Sequence, residues 1–241
     1  MPEYKSMKEF LLNLKLNMKL TYYILIVNAV IWFATEIAGG SANTFILLKF
    51  GALNRELVIH GEFWRMISSA FLHIGILHLM VNSYTLIQLG VFIEDFFGRN
   101  KLIAAYVLTA ITSSILSLIF SNEISAGASG ALFGLTGLLL GNAWAKKSYV
   151  PDLPIDERQL IPFVLLNLWF GFIYPGIDNW AHIGGLIGGI ALGYIFDPAI
   201  SFDPSKLKRM IPDILAKLSI LLLAITSIFW ILSIWGINFY F

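Results

Sequence analysis

The chain has 241 residues, of which 58% are hydrophobic and 13% charged, with a formal net charge of +1 and no cysteine. A soluble domain carries roughly 25% charged residues, so this composition excludes an ordinary water-soluble fold. The near-zero net charge gives no electrostatic footprint for nucleic acid, and the lack of cysteine excludes a thiolate nucleophile, a cysteine-based zinc site and disulfides.

The apolar residues fall in solid runs, each about long enough to cross a hydrocarbon core of roughly 30 Å. They do not alternate with polar residues as the strands of a membrane β-barrel do. The expected class is therefore an all-α polytopic membrane protein. The opening stretch, MPEYKSMKEFLLNLKLNMKL over 1–20, is basic and weakly amphipathic and reads as an interfacial segment on the cytoplasmic membrane surface. The first apolar run covers 21–38. The small residues IAGGSA that follow resemble a signal-peptidase site, which leaves cleavage open. The long charged region before the run, and Asn28 and Trp32 within it, favour an uncleaved helix.

The connection 39–75 contains Lys49, Arg55, His60 and Trp64 and is too long for a simple turn. Its Phe45, Ile46, Leu47, Leu48 and Phe63 predict a segment packed on the membrane surface. Further apolar runs at 76–95, 101–120, 127–145, 160–175, 179–196 and 215–238 bring the spans to seven. The fifth is short and interrupted by Pro162 and Gly171. The chain then divides into the interfacial segment 1–20, a core over 21–200, and a linker with the last span over 201–241.

Basic residues orient the spans, because Lys and Arg concentrate on the cytoplasmic side. With the N-terminus inside, Lys5, Lys8, Lys15, Lys19, Arg99, Lys101, Lys146, Lys147, Arg158, Lys206, Lys208, Arg209 and Lys217 lie inside. Only Lys49, Arg55 and Arg65 lie outside. The expected topology is N-terminus cytoplasmic, C-terminus outside, in a bacterial cytoplasmic membrane. Spans two, four and six then run inward, so their first residues share one depth near the outer surface. Their openings are HIGILHLMVN, GASG and DNWAH. Three segments thus bring polar groups to one layer.

Polar residues at membrane depth are expensive and are functional candidates by default. Of four histidines, His73, His78 and His182 lie in this layer, beside Ser129. The structural alternative is hydrogen bonding between helices. His78 and Asn82 share a helix face, whereas His73 and His78 diverge by about 140° on an ideal helix. Without cysteine or a nearby carboxylate a zinc site would be poorly furnished, and no metal or other cofactor is expected.

A serine hydroxyl becomes a nucleophile when an adjacent base takes its proton. His182, at matching depth on another span, is the candidate base, since a neutral imidazole accepts a proton near pH 7. Ser129 sits near a helix N-terminus, where its backbone N–H lacks an intrahelical partner and would face an oxyanion. Gly127 and Gly130 leave room for a substrate, and His78 and Asn82 would add donors of the kind that dominate acyl-transfer catalysis. Asp178, four residues before His182, either orients that histidine as a third member or caps span six together with Asn179; the cap is the simpler role. The pairs Gly130/Gly134 and Gly137/Gly141 in span four, and Gly185/Gly189 in span six, have the spacing that lets helix backbones approach closely.

These pieces resemble the rhomboid intramembrane serine proteases. EFWRMISSAFLH resembles the family's Trp-Arg motif, here Trp64 and Arg65. HIGILHLMVN is similar to its H-x4-H-x3-N pattern at His73, His78 and Asn82, and EDFFG to the ending of that helix at Glu94 and Gly98. GASG and AHIGGLIGG are similar to the serine and histidine helices. The resemblance spans 62–189. It implies a rhomboid-like six-helix core plus one C-terminal transmembrane helix, a dyad of Ser129 and His182, and an oxyanion site at His78, Asn82 and the Ser129 N–H. It also implies a structural role for His73 and packing of Phe133 on the catalytic histidine.

The implied activity is hydrolysis of peptide bonds in or near transmembrane segments of single-span membrane proteins. A small residue would precede the cut, helix-breaking residues would expose it, and the substrate would enter by the fifth helix and the loop after it, about 160–178. The rivals are an inactive relative that escorts membrane clients and a transporter. The serine and histidine are both present, against the first, and the chain shows no internal repeat, against the second. Substrate identity and oligomeric state are not legible.

Overall fold

The computed structural model describes residues 18–146, 157–197 and 206–235. Residues 1–17 of the interfacial segment, 201–205 of the linker and the end of the last predicted span lie outside these residues. The elements are α1 Leu20–Ala38, α2 Thr44–Lys49, α3 Arg55–Ile59, α4 Arg65–Ser68, a 3-10 turn at Ser69–Phe71, α5 Gly75–Phe97, α6 Arg99–Phe120, α7 Ser129–Lys146, α8 Glu157–Ile173, α9 Asn179–Ile195 and α10 Lys206–Ile234. The chain is an all-α polytopic membrane protein. Leu20–Ala38, Gly75–Phe97, Arg99–Phe120 and Met210–Ile234 are each long and apolar enough to cross a bilayer, and Arg158–Ile173 is a shorter apolar helix.

Two boundaries differ from those read off the hydropathy. α8 runs through Pro162 without ending, and α10 begins at Lys206 instead of 215, with Pro212 inside it. Hydropathy marks where a helix enters apolar surroundings, not where its hydrogen bonding begins, so the more polar turns over 206–214 are missed.

Helix ends are held by specific partners. The Glu94 carboxylate accepts from the backbone N–H of Leu20 (2.8 Å) and Thr21 (3.0 Å), from Thr21 Oγ1 (3.0 Å) and from Arg99 Nε (2.9 Å). It thus caps α1, where an anion is favoured by the unsatisfied N–H groups and the helix dipole. The sequence placed Glu94 at the ending of its own helix; its side chain serves the start of another. Gly98 is the sole residue between α5 and α6 and has φ +90°, a conformation that glycine alone adopts cheaply.

The connection 39–75 folds into α2, α3, α4 and the 3-10 turn. Asn43 and Asn54 cap α2 and α3, accepting from Phe45 N (3.0 Å) and Leu57 N (3.1 Å). Ile46, Leu47, Phe50 and Ala52 join Ile31, Leu72 and Ala126 in a second apolar cluster, while Phe45, Ile59 and Phe63 stay exposed. Arg65 is buried at the centre. It donates to Glu62 (2.7 Å) and to the carbonyls of Leu48 (2.7 Å) and Ala52 (3.0 Å), and lies over the Trp64 ring at 4.7 Å. Burial pulls its guanidinium below the usual range and Glu62 pulls it back. Leu53 and Ser125 exchange backbone hydrogen bonds of 2.8 and 3.1 Å, and Gly127 N donates to Ser69 O (3.0 Å). This region therefore grips the segment that leads into α7.

The core is the α7–α9 contact, with α6 across both. A Cβ added to Gly185 or Gly189 would land on the backbone oxygen of Gly130 or Gly134, and one on Gly137 or Gly141 would land on Leu186 O or Ile190 O. Backbones touch along two full turns of each helix.

Candidate active site

Ser129 is the first residue of α7, and His182 lies in the first turn of α9. The glycine contact just below brings Ser129 Oγ to 2.9 Å from His182 Nε2. The Phe133 ring lies flat on the imidazole, with centroids 4.3 Å apart and planes 8° off parallel. Stacking and the Ser129 contact fix the ring in position and tilt. His182 Nδ1 is buried with no hydrogen-bond partner among the described residues.

Asp178 does not fill that gap. One of its oxygens accepts from Ala181 N (3.0 Å), capping α9, and the other accepts from Ser117 Oγ. Of the two roles open in the sequence, the geometry has the cap.

Gly127, with φ +149°, lies under the His78 ring; a Cβ there would meet His78 Cε1 at 2.6 Å and Nε2 at 2.9 Å. The Ile74 N–H donates to His78 Nδ1 at 3.4 Å. Nε2 is then the ring nitrogen that faces Gly127. Asn82 is buried, and its amide donates to the His78 carbonyl (2.9 Å). That bond keeps Asn82 on its own helix and occupies one of its two N–H groups. His73 meets His78 edge-on at 5.3 Å, so the two rings converge although an ideal helix would part them, because His73 lies before α5 begins.

Trp64 and Arg65 lie in the connection, Trp64 against Gly51 and Arg65 bonded to Glu62, Leu48 and Ala52, and Glu94 lies at the opposite end of α5. Among the described residues no three metal-ligating side chains converge. Sequence reasoning missed the Ser117–Asp178 bond, the Leu53–Ser125 pairing and the Glu94 cap; none leaves a periodic signal.

Residues 60–198 match the Rhomboid domain. The Rhomboid protease GluP of Bacillus subtilis (strain 168) is 41% identical over 169 residues, covering 70% of this chain and 33% of that protein. RHOMBOID-like protein 5 of Arabidopsis thaliana is 40% identical over 62% of this chain and 49% of its own length. Rhomboid-like protease 2 of Toxoplasma gondii is 31% identical over 76% of this chain and 67% of its own. The chain thus spans a third to a half of the first two relatives. Because the domain match takes in the whole layer from His73 to His182, along with more than half of the sequence, this chain belongs to the rhomboid family.

Proposed function

We propose that this chain is an intramembrane serine endopeptidase that hydrolyses peptide bonds in or near transmembrane segments of single-span membrane proteins. The observation that carries this reading is the 2.9 Å contact between Ser129 Oγ and His182 Nε2 on two different helices. Ser129 attacks the scissile carbonyl and passes its proton to His182. The oxyanion is met by the Ser129 N–H, by His78 Nε2–H and by the free N–H of Asn82 once the substrate is in place. His182 then gives its proton to the departing amine, leaving an acyl group on Ser129. Water attacks that ester with His182 again as base and releases the second product. Phe133 holds the imidazole plane throughout. His73 backs His78, Gly127 and Gly130 keep side chains clear of the serine, and Gly185 and Gly189 hold the two helices together. Trp64, Arg65 and Glu94 support the scaffold.

The same reading takes 21–200 as the protease core, 1–20 as a cytoplasmic interfacial segment and 201–241 as linker and seventh span. It sets the N-terminus in the cytoplasm and the C-terminus outside, on the strength of the basic-residue asymmetry, and takes the membrane to be a bacterial cytoplasmic one. It involves no cofactor. The test is labelling by a serine-directed fluorophosphonate in detergent. Wild type should label, and Ser129→Ala and His182→Ala should lose at least about 10³-fold in rate while melting as wild type does. Undiminished labelling of Ser129→Ala would refute the nucleophile.

A further inference from the structure

Ser129 and His182 ride on α7 and α9, and α6, which carries neither, packs against both. Thr109, Ser113 and Ser117 follow one another at four-residue spacing and so share a face of α6. Thr109 and Ser113 back α7: a Cβ at Gly134 would meet Thr109 and one at Gly130 would meet Ser113. Ser117 serves α9 instead. Its hydroxyl donates to one Asp178 oxygen, while the other accepts from Ala181 N (3.0 Å) and the Asp178 carbonyl accepts from His182 N (3.2 Å). Next to it Phe120 stacks on Trp180 at 4.5 Å, and Gly184 closes on the Thr112 carbonyl. This end of α6 is anchored in turn: Arg55 Nη2 donates to Ile119 O (2.9 Å) and Ser114 Oγ to Met66 O (2.9 Å).

We infer that Ser117 and Asp178 are a positioning pair for the proposed Ser129–His182 reaction. A cap needs only one carboxylate oxygen. The second, tied sideways to α6, fixes the rotation and depth of the first turn of α9 and so aims His182 at Ser129. Neither residue touches reacting atoms. The inference rests on the functional reading above.

The experiment measures fluorophosphonate inactivation of the full chain in detergent, separating the maximal rate from the half-saturating concentration, with melting recorded in parallel. Ser117→Ala should lower the maximal rate about 10-fold with half-saturation within about twofold, since sub-ångström misplacement is costly to chemistry and cheap to binding. Asp178→Ala should fall as far, and the double variant no further, because both act through one path. Asp178→Asn should stay within about threefold of wild type, its amide oxygen capping Ala181 and its amide nitrogen donating to the Ser117 hydroxyl.

A wild-type rate in Ser117→Ala would overturn the inference, as would losses that multiply in the double variant. A drop of about 10⁴ in Asp178→Asn would also overturn it, by making Asp178 a charge partner of His182. If Asp178→Ala does not fold, Ser117→Ala and Asp178→Asn decide alone. A folded wild type that takes no label overturns the functional reading, and this inference with it.

Discussion

α9 and α8 are neighbours in sequence and similar in length, but they are held in different ways. α9 buries Ala181, His182, Gly184, Gly185, Gly189, Leu192 and Gly193 against α7 and α6, with glycines where the backbones meet. α8 buries Leu160 and Val164 and leaves Leu165, Leu166, Trp169, Phe170, Phe172 and Ile173 exposed. Near the site, among the described residues, it is tied by the hydrogen bond from Asn179 Nδ2 to Leu168 O (3.1 Å), beside Gly171, which lies against the Asn179 amide. Its aromatic residues meet one another and the loop just past it: Trp169 lies edge-on to Phe170 at 5.2 Å, and Phe170 stacks on Tyr174 at 5.8 Å. Lipid tails are as apolar as leucine, so helices in a bilayer are held by close packing and not by hiding apolar surface. By that measure α9 is fixed and α8 is lightly held. The dyad is built on the fixed helix.

The sharpest way to break this contrast is Gly185→Ala. The added methyl lands on the Gly130 carbonyl, where backbone, not a flexible side chain, must yield. The helices should part, at a cost of about 1–3 kcal/mol in stability and roughly 100-fold in fluorophosphonate labelling, because an ångström of separation between nucleophile and base is enough. Melting and labelling on one preparation check both. If labelling survives, the glycine contact does not set the dyad.

The sequence made this contrast partly legible. Small-xxx-small spacing in 130–141 and 185–189 marks faces meant for close approach, and the shared depth of three helix starts brings Ser129, His78 and His182 to one layer. Both follow from the regular rise and turn of a helix. What the residues did not disclose depends on pairings between distant segments. Ser117 and Asp178 are 61 residues apart, and Glu94 is 73 from Thr21. A lone serine or glutamate in an apolar run has no period that names its partner. Nor did Pro162 and Gly171 read correctly as interruptions. α8 continues through both, and Gly171 is small because Asn179 occupies the space a side chain would take.

A smaller effect tests how dry the tight side is. His73 is 1% exposed, just before α5. Burial first, and the neighbouring His78 second, push its pKa to about 3, against an opposing pull from the Phe71 backbone. In the unfolded chain it titrates near 6.5. Below that pH the unfolded state takes up a proton that the folded state refuses, so stability falls as pH drops from about 6.5 toward 3, by up to about 1.4 kcal/mol per unit. Between pH 7 and 4.5 wild type should lose on the order of 2 kcal/mol on this account, and His73→Gln should show a flatter melting profile. Equal slopes would mean that His73 is not kept neutral by the fold.

The smallest expected effect is on the light side. Phe172 is 75% exposed on α8, so its ring has lipid or detergent around it whether or not α8 stays docked. Phe172→Ala exchanges one apolar surface for another, and should change melting by less than about 0.5 kcal/mol and fluorophosphonate labelling by less than about twofold. The value of this variant lies in being measured beside Gly185→Ala: a methyl added on α9 against six carbons removed from α8. If truncating Phe172 slowed labelling as much as filling Gly185, the outer face of α8 would be coupled to the dyad as firmly as the glycine face of α9. The dyad's geometry would then depend on both helices.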